Sequence, residues 1–286
     1  MNQETTNFKT FNYQENGEIG FSMLATVKTT NTLDSGIYDL KTIHNFQTGY
    51  KNVLAVTDNT ETFEIDIPFY FKDKIDTVFN KFYSEEIKKD INKLGYKHKL
   101  GILLYGKQGT GKTSMLKFYF QKSKDCCDAV VFNLTSLEHF SETWGFIKNI
   151  RKIQSNPIVV FIDECEDLFE KYKQEDSVKK ALDGFDSIDN CLVLMSTNYI
   201  DKIPTTIKDR PSRVKYSIEV DGIQDEKLIT QFLKQSFDKI DMKVDFEKEV
   251  SKMKGWTIDE LKQWVLDKVM DIEPEEKVNN KMGFSK

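Results

Sequence analysis

Gly101-Ile102-Leu103-Leu104-Tyr105-Gly106-Lys107-Gln108-Gly109-Thr110-Gly111-Lys112-Thr113 is the stretch on which the reading of this chain turns. An apolar run of strand length leads into G-x-x-x-x-G-K-T, the phosphate-binding loop, and a helix opens at Lys112, Thr113 and Ser114. Gly106, Gly109 and Gly111 let the backbone turn tightly, so that N–H groups from Gly106 through Lys107, Gln108 and Thr110 to Ser114 can face a polyphosphate. The helix start adds the positive end of its dipole. In this pattern Lys112 meets the β- and γ-phosphates and the Thr113 hydroxyl serves Mg2+, so a nucleotide site is predicted.

Fifty residues beyond Thr113 a second apolar run, Ile158-Val159-Val160-Phe161-Ile162, delivers Asp163-Glu164 at its end. Open α/β sheets bind ligands at that edge. Asp163 is predicted to hold Mg2+ through water or Thr113, and Glu164 to polarise a water that attacks the γ-phosphate. Further apolar segments, Ala129 to Leu134, Leu192 to Met195 and Val214 to Val220, alternate with amphipathic helical patterns. This predicts an α/β fold, a mostly parallel sheet covered on both faces.

The chain divides by pattern. Residues 1–68 show short extended segments with turn signals such as Asp34-Ser35-Gly36, and predict a small β-rich N-terminal domain ending near Pro68. Residues 69–221 form the α/β core, opened by helices carrying Ile75, Val78, Phe79, Phe82 and Ile87 on one face. Residues 222–273 read as three helices, the last started by a Thr257/Glu260 capping box, and 274–286 as a polar tail.

Composition narrows the function classes. A net charge of −5 argues against a surface that coats nucleic acid. The cysteines Cys126, Cys127, Cys165 and Cys191 lack zinc spacing and read as buried thiols. With no apolar run of membrane length, a soluble cytoplasmic protein is predicted. The only arginines are Arg151, Arg210 and Arg213, so two of three stand three residues apart in a lysine-rich chain, a placement suited to planar bidentate contact with phosphate.

Taken together, GILLYGKQGTGKT, IVVFIDE, LVLMSTN and DRPSR resemble the ATPase core of the AAA family of P-loop proteins over residues 82–270. The resemblance implies an ATP hydrolase with Mg2+ and a C-terminal helical lid. It also implies that Asn198 is the polar sensor orienting the attacking water, and that Arg210 and Arg213 are the arginine-finger pair reaching the γ-phosphate held by a neighbouring subunit. It implies a ring of identical subunits, most often a homo-hexamer, and it sets Gly255 beside the adenine. Asn198-Tyr199-Ile200-Asp201 lacks the lysine of a guanine-reading N-K-x-D, which favours ATP. Phe140, and after it Trp144, are the candidates for a pore-facing aromatic, with core packing as the competing role. The leading function is remodelling of a protein or protein complex, with the N-terminal domain as recruiter of an unknown protein client. A DNA or RNA motor or loader, and an ATP-gated scaffold, stand as alternatives.

Overall fold

The computed structural model describes residues 32–45, 49–56, 72–134, 137–183 and 186–271, together with four short strands nearer the N-terminus. Those four form two antiparallel ladders, β1 (Thr5–Thr6) with β4 (Val27–Lys28) and β2 (Asn12–Glu15) with β3 (Glu18–Phe21).

The remaining strands make one seven-stranded sheet. They are β5 (Gly36–Asn45), β6 (Gly49–Val56), β7 (Lys99–Tyr105), β8 (Val130–Leu134), β9 (Ile158–Ile162), β10 (Cys191–Thr197) and β11 (Tyr216–Glu219). Their order is β11-β7-β10-β9-β8-β5-β6, all parallel except the last, which turns back antiparallel to β5. The helices are α1 (Lys72–Phe82), α2 (Glu85–Lys93), α3 (Lys112–Cys127), α4 (Phe140–Ile153), α5 (Asp167–Glu170), α6 (Glu175–Asp183), α7 (Thr205–Lys208), α8 (Glu226–Asp238), α9 (Glu247–Val250) and α10 (Ile258–Val269).

Strand alternation sorts the apolar residues into two layers. Phe132, Val160, Ile162, Val193 and Met195 face Phe140, Trp144 and Ile147 of α4 and Val178 and Ala181 of α6. Ile102, Leu104, Val131, Val159, Phe161 and Leu194 face Met115, Leu116, Tyr119 and Phe120 of α3 and Ile75 and Phe79 of α1. Each helix therefore buries the stripe that its 3.6-residue period predicts. Ile87 departs from this, since α2 buries none of its residues and Ile87 is exposed.

The N-terminal boundary needs correction. Gly36 to Leu40 and Asn52 to Val56, assigned by sequence to a small β-rich domain of residues 1–68, belong to the main sheet. Gly36 pairs with Val130 and Leu40 with Leu134, while Ile37 and Tyr38 enter opposite core layers. The reason is that β8 otherwise leaves its outer edge unpaired, and an apolar edge strand is stabilised by a partner. The expected strand at Phe63 to Ile67, the Pro68 boundary and the polar tail lie outside the described residues. Of the cysteines, Cys165 and Cys191 are buried as expected, but Cys126 is exposed at the end of α3.

Residues 223–264 build a separate core from Ile223, Ile229, Phe232, Leu233, Phe237, Met253, Leu261 and Trp264. The Thr257 hydroxyl accepts from Glu260 N while the Glu260 carboxylate accepts from Thr257 N at 2.8 Å, the predicted capping box. Leu233 is fully buried there, so Leu233→Ala is expected to cost about 2–5 kcal/mol. Denaturant unfolding with hydrogen exchange should show the loss in α8 to α10 and leave the exchange of β7 to β10 unchanged.

Candidate active site

Parallel register sets the site. Thr197 at the end of β10 lies level with Tyr105 at the end of β7, and Met195 lies level with Ile162 at the end of β9. The segments that follow therefore meet at one edge: the loop at Gly106, the turn at Asp163 and Glu164, and the residues around Asn198. A cleft of about 250 Å3 opens there, lined among others by Gly109, Lys112, Thr113, Asp163, Glu164 and Asn198. Gln108, Gly111 and Ser114 share this lining.

Gly106 is held at φ +143° with its α-carbon against the Val220 carbonyl, where a β-carbon would come to 2.0 Å. Gly111 caps α3 at φ +85°, a left-handed conformation that side chains resist. The loop closes around Lys112, which is 5% exposed. Its Nζ donates to the carbonyls of Gly106 at 2.8 Å and Lys107 at 2.6 Å and approaches Thr110 Oγ1 at 3.5 Å. Among the described residues Lys112 makes no ion pair. Burial pushes its ammonium pKa below the usual lysine value, against the opposing pull of Asp163 and Glu166.

Thr113 Oγ1 lies 3.0 and 3.1 Å from the two Asp163 carboxylate oxygens, so the first helical turn and the end of β9 are joined at the site. Ser196 Oγ donates to Asp163 Oδ1 as well. Glu164, at φ +47°, is exposed toward the cleft. Ser196, Glu166 and Asp259 were missed by the sequence reading. Asp259, in the first turn of α10, lines the cleft and donates its N–H to the Gly109 carbonyl at 3.0 Å, which brings the lid against the loop. On that side Gly222 packs on the Gly255 carbonyl, and Ile223 N donates to Trp256 O at 2.8 Å.

Arg210 and Arg213 are not among the residues lining this cleft. Arg213 lies with its carbonyl against Gly101, five residues before Gly106, which is about 16 Å along a strand. Arg210 Nε pairs with Asp183 Oδ2 at 3.2 Å and its side chain is 57% exposed. Arg213 Nε is 3.9 Å from the same oxygen, and Arg213 donates to the Thr206 carbonyl. Lys99 completes this group at 3.6 Å from Asp183. Phe140 and Trp144 pack in the core, stacked 5.6 Å apart, and Trp144 Nε1 donates to the Asp186 carbonyl at 2.8 Å. Neither is presented for a pore.

A parallel sheet with a glycine loop, a buried lysine and a strand-end carboxylate at its C-terminal edge defines a P-loop nucleotide-binding protein. Residues 102–221 match the sequence profile of the family described as "ATPase family associated with various cellular activities (AAA)". Over those residues the chain is similar to an AAA domain. It is 27% identical over 175 residues to the proteasome-activating nucleotidase of Methanococcus vannielii, covering 56% of this chain and 42% of that protein. It is 28% identical over 141 residues to the 26S proteasome regulatory subunit 6B homolog of Saccharomyces cerevisiae, covering 44% and 33%. Protein CdcH of Halobacterium salinarum is 28% identical over 151 residues, covering 47% and 19%. The chain thus spans less than half the length of these relatives.

Gly106→Ala is expected to force the β-carbon into the Val220 carbonyl and to destabilise the fold by on the order of 1–3 kcal/mol. A thermal scan compared with Gly145→Ala, where nothing lies within 4 Å of the added methyl, checks this, because the control should lose far less.

Proposed function

We propose that this chain is a Mg2+-dependent ATP hydrolase whose sites are completed between copies in a ring, and that it remodels a protein or protein complex. The observation that carries the reading is the Lys112 ammonium, buried and bonded only to neutral oxygens. A buried cation without an anionic partner is costly, and a polyphosphate supplies that partner. The same cleft offers hard oxygen donors suited to Mg2+ in Thr113 and Asp163. When bound there, Mg2+ would neutralise charge on the phosphate oxygens.

The chain's own residues then divide the task. The N–H groups from Gly106 to Ser114 and Lys112 bind the phosphates, and Thr113 with Asp163 hold the cation. Glu164, exposed at the cleft, takes the proton of the attacking water. Asn198 orients that water. Arg210 and Arg213 do not line their own cleft, and the Arg213 backbone lies beside Gly101, five residues before the loop, which supports action on a neighbouring copy. Arg210 is the exposed member and presents the fork, while Asp183 holds it beside the less exposed Arg213.

Relatives named for activating or regulating a proteasome favour a protein client over nucleic acid, as does a chain with three arginines. With Phe140 and Trp144 buried, the client must engage elsewhere, and the residues preceding β5 are the proposed recruiter. A hexamer in the cytoplasm is the assembly and place that this reading expects. Among the described residues no helix is long and apolar enough to cross a membrane.

Glu164→Gln should bind ATP at wild-type affinity by calorimetry while turnover falls about 10²-fold or more. Unaltered turnover would remove Glu164 from the chemistry. Arg210→Ala should lower turnover about 10³-fold without weakening ATP binding. Mixing Arg210→Ala with Glu164→Gln should restore some activity, because one subunit's intact cleft then meets another's intact arginine. A wild-type rate per subunit that does not change on dilution would contradict shared sites.

A further inference from the structure

We propose that Glu166 is a positioning residue that fixes Asn198 relative to the Asp163–Glu164 turn. The inference rests on the hydrolytic reading of the cleft for its consequence, though not for its geometry. Glu166 is the N-cap residue of α5, and its carbonyl accepts from Phe169 N at 3.0 Å and Glu170 N at 2.9 Å. A side chain at such a position commonly caps the helix or reaches water. This one does neither. It makes no cap bond, is 5% exposed, and turns toward the end of β10.

There Glu166 Oε1 accepts from the backbone N–H of Asn198 at 3.4 Å. Its other oxygen, Oε2, is buried with no hydrogen-bond partner among the described residues. Two further contacts join the same segments: Cys165 N donates to the Ser196 carbonyl at 2.9 Å, and Ser196 Oγ donates to Asp163 Oδ1. The turn from Asp163 to Glu166 is therefore joined twice to Ser196 and once to Asn198. Those at Cys165 and Ser196 fix the strand end. The Glu166 bond acts beyond it, on Asn198, which lines the cleft.

The geometry makes the spacing between Glu164 and Asn198 depend on a buried oxygen and not on the loop after β10 alone. The carboxylate also bears electrostatically on Lys112, so charge is the competing role. Glutamine separates the two, since it keeps the acceptor and loses the charge.

Two measurements test the assignment. In the nucleotide-free chain, NMR-detected hydrogen exchange at the Asn198 amide should quicken at least about tenfold in Glu166→Ala, the order expected when a buried bond opens. It should stay near wild type in Glu166→Gln. An Asn198 amide equally protected in Glu166→Ala overturns the proposal, whether or not the chain hydrolyses ATP. In turnover assays Glu166→Ala should lose up to about 10²-fold in kcat with ATP affinity retained, the scale of a misplaced catalytic group. Glu166→Gln should rescue it. Asn198→Ala combined with Glu166→Ala should be no slower than Asn198→Ala alone. Losses that multiply, or a Glu166→Gln as slow as Glu166→Ala, overturn the positioning role. Failure of the hydrolytic reading is distinct: it would show as an inactive wild type while the exchange result stands.

Discussion

A buried ammonium hydrogen-bonded to carbonyl and hydroxyl oxygens, with no carboxylate in ion-pair contact among the described residues, is the constraint on which this structure depends. Lys112 can occupy that position because Gly106 and Lys107 turn their carbonyls inward, and Gly106 can do so only without a β-carbon. The loop in turn must hang from a strand that does not move. β7 supplies this by hydrogen bonding on both sides, to β10 and β11, and by packing Leu103 and Leu104 into opposite core layers. The apolar sheet is thus a rigid mount for one charged group. Burial lowers the ammonium pKa, and an anion bound in the cleft would raise it again, so the protonated lysine and a bound anion favour one another.

The register of β10 between β7 and β9 extends that mount to the rest of the site. Because strands paired in parallel end at the same edge, residues far apart in sequence arrive together: Gly106 after β7, Asp163 after β9 and Asn198 after β10. This much is legible in sequence. Three apolar runs ending in glycine, acid or amide leave little freedom in which edge carries the chemistry. The loop, Thr113, Asp163, Glu164 and Asn198 all line one cleft for that reason.

What sequence does not carry is long-range pairing without a motif. Gly36 to Leu40 alternates like many strands, and nothing local announces that it pairs with Val130 to Leu134, so it was assigned to another domain. Asp259 reads as an ordinary acid in the first turn of a capped helix, and only the docking of α10 on Gly109 makes it part of the cleft. Ser196 alternates into an apolar strand and reads as a tolerated small residue until its hydroxyl meets Asp163. Glu166 sits among Glu164, Asp167 and Glu170, where composition suggests a solvated acidic turn, yet it is buried. In each case the deciding contact is made by a backbone or a strand end and leaves no residue pattern behind.

The arginine pair follows from charge as much as from position. A carboxylate at the C-terminal end of a helix meets the negative end of the dipole, so Asp183 at the close of α6 is unfavourably placed by itself. Lys99, Arg210 and Arg213 around it offset that cost. The contacts of both arginines with Asp183 run through Nε, the inner nitrogen of each guanidinium. The Arg210 side chain is more than half exposed, and its terminal nitrogens lie outside this Nε contact. A lysine in its place would gather its three N–H donors on one nitrogen beside Asp183 and lack the planar fork. Guanidinium chemistry thus lets Arg210 pair with Asp183 through one nitrogen and keep two others for a second partner, a division that lysine does not match.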